Sequence, residues 1–215
     1  ERKIAQKNLK TYIEKYGVAN LPPKQEEEIR TLFNQLAEVA HQDAPNLEFK
    51  LHILDTKRVN AVYIGDGHVM LFKGLIELVD SNRQVAAVIA HELGHGVRGH
   101  IQEKIDLQQG IQLGAVLIDL AGDGKLDQEE PGLLTQLGLK LVLSDYSRSQ
   151  EREADEYSVL VSARAGIDPE ATVELMKSLK GDKPGSNSKL LELFQNHPNT
   201  TARIDYLSDM VARVK

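Results

Sequence analysis

The stretch from Ser81 to His100, SNRQVAAVIAHELGHGVRGH, constrains this chain more than any other. It holds His91-Glu92-Leu93-Gly94-His95, an H-E-x-x-H pattern. On an α-helix, residues four apart share a face, so His91 and His95 aim two imidazoles at one point. Glu92 lies beside His91 and can reach a water held at that point. Two neutral nitrogen ligands and a carboxylate base are what a zinc hydrolase needs. The helix has its own start signal, because Ser81 and Gln84 form an S-x-x-Q capping box. Val85, Ala86, Val88 and Ile89 make the lead-in apolar, as a buried helix requires. Gly94, Gly96 and Gly99 lower helix propensity, and Gly94, between the two histidines, lets a second backbone come close. A bare H-E-x-x-H also arises by chance on surface helices, so the chemistry needs a second carrier elsewhere.

Composition narrows where that carrier lies. There is no cysteine, so a metal site must be built from His and carboxylate. The net charge of −6 argues against general nucleic-acid binding. With 215 residues, 41% of them hydrophobic, the chain can bury a core. The most apolar run, 111–120, contains Gln112 and Asp119 and falls short of the roughly 20 residues a membrane span needs. The first residue is Glu1 and not Met, so the chain is expected to be a mature or excised form, with any signal or anchor out of view.

Helical spacing predicts helices over 1–16, ending at Gly17, and from Pro22-Pro23 to about His41. His41 reads as a cap or surface residue. Alternation predicts a strand over 47–53 and a second over 59–64. Asp66-Gly67 is a two-residue hairpin signal leading into a third strand, 68–72. His52 and His68 fall on these strands and read as structural or exposed. One strand is expected to be an edge that takes up an extended peptide by strand addition; the competing reading is a purely structural sheet. A short helix over 74–79 precedes the H-E-x-x-H helix, and a polar helical stretch, 101–109, follows it. The stretch 119–130 partly fits a calcium loop, with Asp119, Asp123, Asp127 and Glu130 at ligand places. Ala121 stands where a further ligand belongs, and the competing reading is an acidic surface turn. The segment that opens at Ser144 is predicted to run as a helix to Ala165, with Gly166 as the terminating residue; further helices are predicted from Asp168-Pro169 to about Lys180, and over about 200–214.

A catalytic zinc usually has three protein ligands. H-E-x-x-H-x-x-G-x-x-H is one solution, but Arg98 stands at its glycine place, Ile101 at its third-histidine place, and His100 is one residue early. The other solution is a glutamate from a later helix. Glu151-x-x-x-Asp155 offers it: Glu151 to bind the metal, and Asp155, one turn on, to accept a hydrogen bond from the outer N–H of a ligand His. Glu153 projects elsewhere on that helix. Taken alone, Glu151 and Asp155 would read as a solvated acidic face beside Arg148 and Arg152; with H-E-x-x-H upstream they do not.

HELGH, SRSQEREAD and NHPNTTARI, in that order, resemble the zinc metallopeptidase family that includes HtpX, BepA and the CAAX prenyl protease. The pattern of H-E-x-x-H, then E-x-x-A-D, then H-P followed by R-I stands here as His91/Glu92/His95, Glu151/Ala154/Asp155 and His197-Pro198/Arg203-Ile204. The likeness covers roughly residues 45–210, and the lack of spanning helices resembles the soluble, BepA-like branch. It implies an α+β fold: a mainly helical zincin-type domain of residues 45–215 with a small, mostly antiparallel three-stranded sheet beside the H-E-x-x-H helix. Residues 1–44 are then N-terminal helices packed on it. It implies one Zn2+ per chain held by His91, His95 and Glu151, with Glu92 as catalytic base. It further implies that His197 assists, as an oxyanion donor or as a fourth ligand that keeps the enzyme latent. Arg203 ties the His197 loop to the active-site helices or forms a structural ion pair. The expected activity is endoproteolysis of misfolded or unassembled proteins in the periplasm or another exported location. The polypeptide is bound as an added strand, and the membrane is reached only through an N-terminal anchor. The rival is a latent, chaperone-like binding module with a zinc-capped site.

Overall fold

The computed structural model describes residues 1–109, 146–180 and 201–215. Two helices open the chain, α1 (Arg2–Tyr16) and α2 (Pro23–Asp43). Gly17 ends α1 and Pro23 begins α2, where its missing N–H has no helical partner to lose. Three strands follow: β1 (Lys50–Leu54), β2 (Ala61–Tyr63) and β3 (His68–Phe72). Between β2 and β3, Asp66 and Gly67 both take positive φ, at 49° and 80°, and the His68 N–H donates to the Gly65 carbonyl at 2.9 Å. That is the type I′ turn, whose twist matches the strands it joins.

The sheet is mixed. Its order is β1-β3-β2, with β2 antiparallel to β3 but β1 parallel to it. An all-antiparallel arrangement would follow if strands adjacent in sequence paired in space. Here the 55–60 link instead crosses the end of β3, where the Gly74 N–H donates to the Thr56 carbonyl at 2.9 Å. It thereby delivers β2 to the far side of β3. All five residues of β3 are buried, as suits a central strand. The free side of β1 is met by the 17–19 segment, through an isolated bridge between Val18 and Leu54.

Beyond the sheet come α3 (Lys73–Ile76), α4 (Asn82–Val97), α5 over 100–109, α6 (Arg148–Arg164), α7 (Glu170–Lys180) and α8 (Thr201–Val214). Among the described residues no helix is long and apolar enough to cross a membrane. Ser81 caps α4, its hydroxyl accepting from the Gln84 N–H at 3.3 Å. From Gln84 to Gly96 every residue of α4 is buried. The helix sits against α2, β2, α6 and α7, and most of its surface is apolar, as a fully enclosed helix must be.

Gly94 allows α6 to come this near. A Cβ there would stand 2.9 Å from Ala154 Cα and 3.0 Å from its carbonyl oxygen. Backbone cannot retreat as a side-chain tip can, so α4 and α6 would have to separate. Gly94→Ala should therefore cost about 1–3 kcal/mol by overpacking, read as a lowered midpoint in urea unfolding with an unchanged slope; an unchanged midpoint would mean that the helices have room to spare.

Candidate metal centre

The approach of α4 to α6 brings His91, His95 and Glu151 together. One donor atom from each lies within 4.8 Å of the others, and all three residues are buried. His91 Nε2 is 3.1 Å from His95 Nε2. Glu151 reaches both rings, with Oε2 at 3.5 Å from His91 Nε2 and Oε1 at 3.6 Å from His95 Nε2. Glu151 stands in the first turn of α6, whose start is set by a reciprocal capping box between Ser147 and Gln150.

Each imidazole is also held at its other nitrogen. His91 Nδ1 lies 3.1 Å from Asp155 Oδ1. Asp155 is fully buried and grips Arg203 of α8 in two parallel bonds of 2.7 Å, from Nε to Oδ2 and from Nη2 to Oδ1. The Tyr206 hydroxyl also donates to Asp155 Oδ2. The remaining Arg203 nitrogen, Nη1, is 3.3 Å from Glu151 Oε2. His95 Nδ1 lies 2.8 Å from His100 Nδ1, and the His95 ring stacks on Tyr146 at 3.7 Å between centroids and 14° between planes.

Glu92 turns toward the sheet. Its Oε2 accepts the Tyr63 N–H at 2.7 Å. Bonds from Asn60 and Ile64 run to β3, and successive residues of a strand alternate, so Ala61 and Tyr63 face away from it. The Ala61 N–H is taken by Asn60 Oδ1 and the Tyr63 N–H by Glu92. The carboxylate next to the metal cluster is thus fixed to the outer edge of β2.

The electrostatics suit a cation. Glu92, Glu151 and Asp155 are buried, with Arg203 buried among them. Three carboxylates against one guanidinium leave two negative charges, which a divalent ion would offset. Buried carboxylates without such compensation are costly. Without a cation, the cluster takes up a proton. Burial lowers the His91 pKa, but hydrogen bonds to Asp155 and Glu151 and their charges outweigh it and raise the value to about 10. Asp155 moves the other way: burial raises it, while His91 and Arg203 pull it below the usual carboxylate range.

The other sequence candidates fall outside this cluster. Glu153 does not reach the metal-facing atoms; its Oε2 lies 3.6 Å from His100 Nε2. His41 Nδ1 lies 2.9 Å from the Leu47 carbonyl. His52 and His68 meet each other, Nε2 to Nδ1 at 2.9 Å, and burial together with the His68 charge holds His52 down to about 4. His197 and the acidic positions Asp119, Asp123, Asp127 and Glu130 lie outside the described residues. Three residues of the site carry no obvious mark in the sequence: His100, Tyr146 and Tyr206. Tyr206 had one available signal, since it follows Arg203 by three residues and so shares its helical face.

A buried His-His-Glu cluster that could hold a metal ion, beside a glutamate and a strand edge, is the arrangement of a metallopeptidase. The model of peptidase family M48 matches residues 23–211. The metalloprotease LoiP of Escherichia coli (strain K12) is 32% identical over 158 residues, covering 73% of this chain and 60% of LoiP. The mitochondrial metalloendopeptidase OMA1 of Schizosaccharomyces pombe is 27% identical over 221 residues, covering 100% of this chain and 63% of OMA1. The β-barrel assembly-enhancing protease of Yersinia pestis is 27% identical over 183 residues, covering 82% of this chain and 37% of that protein. The chain therefore spans less than two thirds of the length of each of these relatives. It belongs to peptidase family M48.

Two measurements test the geometry. A His ligand must be neutral to bind a metal, and in the metal-free protein His91 keeps its proton up to a pH of about 10. Loading at pH 7 should expel about one proton, and affinity should rise about tenfold per pH unit below that value. Zinc titrations in two buffers of different ionisation enthalpy will count the proton. Asp155→Ala removes the support of His91 and should weaken zinc binding about 10–100-fold in competition with a chromophoric chelator.

Proposed function

We propose that this chain is a zinc-dependent endopeptidase. The observation that carries the reading is the buried convergence of His91, His95 and Glu151, with Glu92 fixed beside them at a strand edge. His91, His95 and Glu151 would hold the ion, a donor set of two imidazoles and one carboxylate that suits zinc. When bound, zinc acts as a Lewis acid on a carbonyl and lowers the pKa of water to around 7. Glu92 takes the proton of the attacking water and later gives it to the leaving amine. Its bond to the Tyr63 N–H holds the carboxylate in place beside the cluster.

The substrate is an extended polypeptide that adds to the outer edge of β2. The reading is supported by the position of this edge beside Glu92; because the Ala61 and Tyr63 N–H groups are taken by Asn60 and Glu92, pairing there would use the outward carbonyls of Ala61 and Tyr63 or displace those two bonds. Strand addition grips backbone and tolerates varied side chains, which suits misfolded or unassembled proteins as substrates. His197 aids charge development on the scissile carbonyl or caps the ion, a role that rests on the motif resemblance. An exported, periplasmic location rests on the same resemblance and on relatives named for β-barrel assembly.

Glu92→Gln is the decisive variant. It should keep one zinc per chain and its fold, yet lose at least about 100-fold in casein cleavage, because an amide cannot accept the proton. Undiminished cleavage would remove Glu92 from the mechanism. A zinc-loaded wild-type protein that binds unfolded casein without cutting it would favour a latent binding module instead.

A further inference from the structure

We infer that His100 is a positioning residue for the metal ligand His95. It accepts the proton on His95 Nδ1 and so holds that ring in the tautomer whose Nε2 faces the metal. The inference rests on the metal-centre reading given above and extends it to a residue outside the H-E-x-x-H pattern.

Five residues along a continuous helix would rotate His100 by about 140° from His95, onto a different face. The chain avoids this by ending α4 at Val97. Gly99 then takes φ 71°, a conformation that residues with a Cβ rarely adopt. The next helix starts at once, with the Glu103 N–H donating to the Gly99 carbonyl at 3.0 Å. The turn brings His100 back under His95, with Nδ1 to Nδ1 at 2.8 Å. His100 is only 1% exposed, as close to fully buried as Glu92.

Two facing nitrogens 2.8 Å apart need one proton between them. His95 Nε2 points at Glu151 and at His91 Nε2, so in a metal-loaded site its proton must sit on Nδ1. His100 Nδ1 is then the acceptor, and the His100 proton sits on Nε2. Among the described residues that nitrogen is buried with no hydrogen-bond partner, the Glu153 carboxylate lying nearby with its Oε2 3.6 Å away. A carboxylate on that side favours the N–H form of Nε2, which is the tautomer the acceptor role demands. The two ligands of one motif are thus supported differently: His91 by the carboxylate of Asp155, His95 by a second imidazole.

The test compares zinc affinity of wild type, His100→Leu and His100→Gln by competition with a chromophoric chelator, alongside thermal melting of the metal-free proteins. Leucine fills the space but accepts nothing, and should weaken zinc about 10–100-fold with little change in metal-free melting. Glutamine presents an amide oxygen and should recover most of that loss. Equal affinity in wild type and His100→Leu overturns the inference, and so does equal loss in both variants, which would mark a packing role. Should neither variant fold, the nitrogen-15 spectrum of zinc-loaded wild type decides: Nε2–H on His100 supports the assignment, and Nδ1–H overturns it. A wild-type protein that takes up no zinc would instead bring down the metal-centre reading on which all of this stands.

Discussion

The near-contact between Gly94 of α4 and Ala154 of α6 governs the distances in the site. Two of the metal-facing side chains leave one helix and the third leaves the other. Their tips meet only because the two backbones touch where one has no side chain. Glu151 and Asp155 flank Ala154 on α6, as His91 and His95 flank Gly94 on α4. A point of tight packing therefore lies at the centre of the cluster, and a shift there moves all four side chains together. α4 cannot relax away, since it is enclosed from Gln84 to Gly96.

Burying this much charge would be ruinous if the groups were not mutually satisfied. The structure meets the demand in layers that start at the cluster and end at its margin. From His91 the chain of contacts runs to Asp155, and on to Arg203 and Tyr206 of α8. From His95 it runs to His100, and on to Glu153 near the surface. Tyr146 closes one face of the His95 ring, with the Lys104 ammonium 3.3 Å from the centroid of the tyrosine. The rings are thereby fixed in both direction and tilt, which is what a preorganised ligand set requires.

Local signals in the chain led to most of the elements. Gly17, Pro23, Ser81, Asp66-Gly67 and Gly166 each mark a boundary through a backbone preference that acts within a few residues, and each stands at a boundary in the structure. Helical periodicity likewise puts Glu151 and Asp155 on one face, and the structure brings that face to His91 and His95. What depends on paths between elements was not legible. The parallel pairing of β1 with β3 follows from where the 55–60 link crosses, and no residue in β1 encodes it. His100 falls one residue early for a third ligand, and straight helical geometry would put it on a different face from His95; the turn at Gly99 changes that. Tyr206 and Tyr146 gain meaning only when helices distant in sequence are packed.

The arrangement has a consequence for how the protein is made. The guanidinium that neutralises Asp155 and Glu151 lies 48 residues beyond Asp155 in the chain. On the ribosome the two histidines and both carboxylates emerge well before it. Until α8 follows, the acidic pair has no arginine to face, and the pocket that would trap a cation has no lasting reason to close. The buried acidic pair thus gains its guanidinium partner only once α8 has been made.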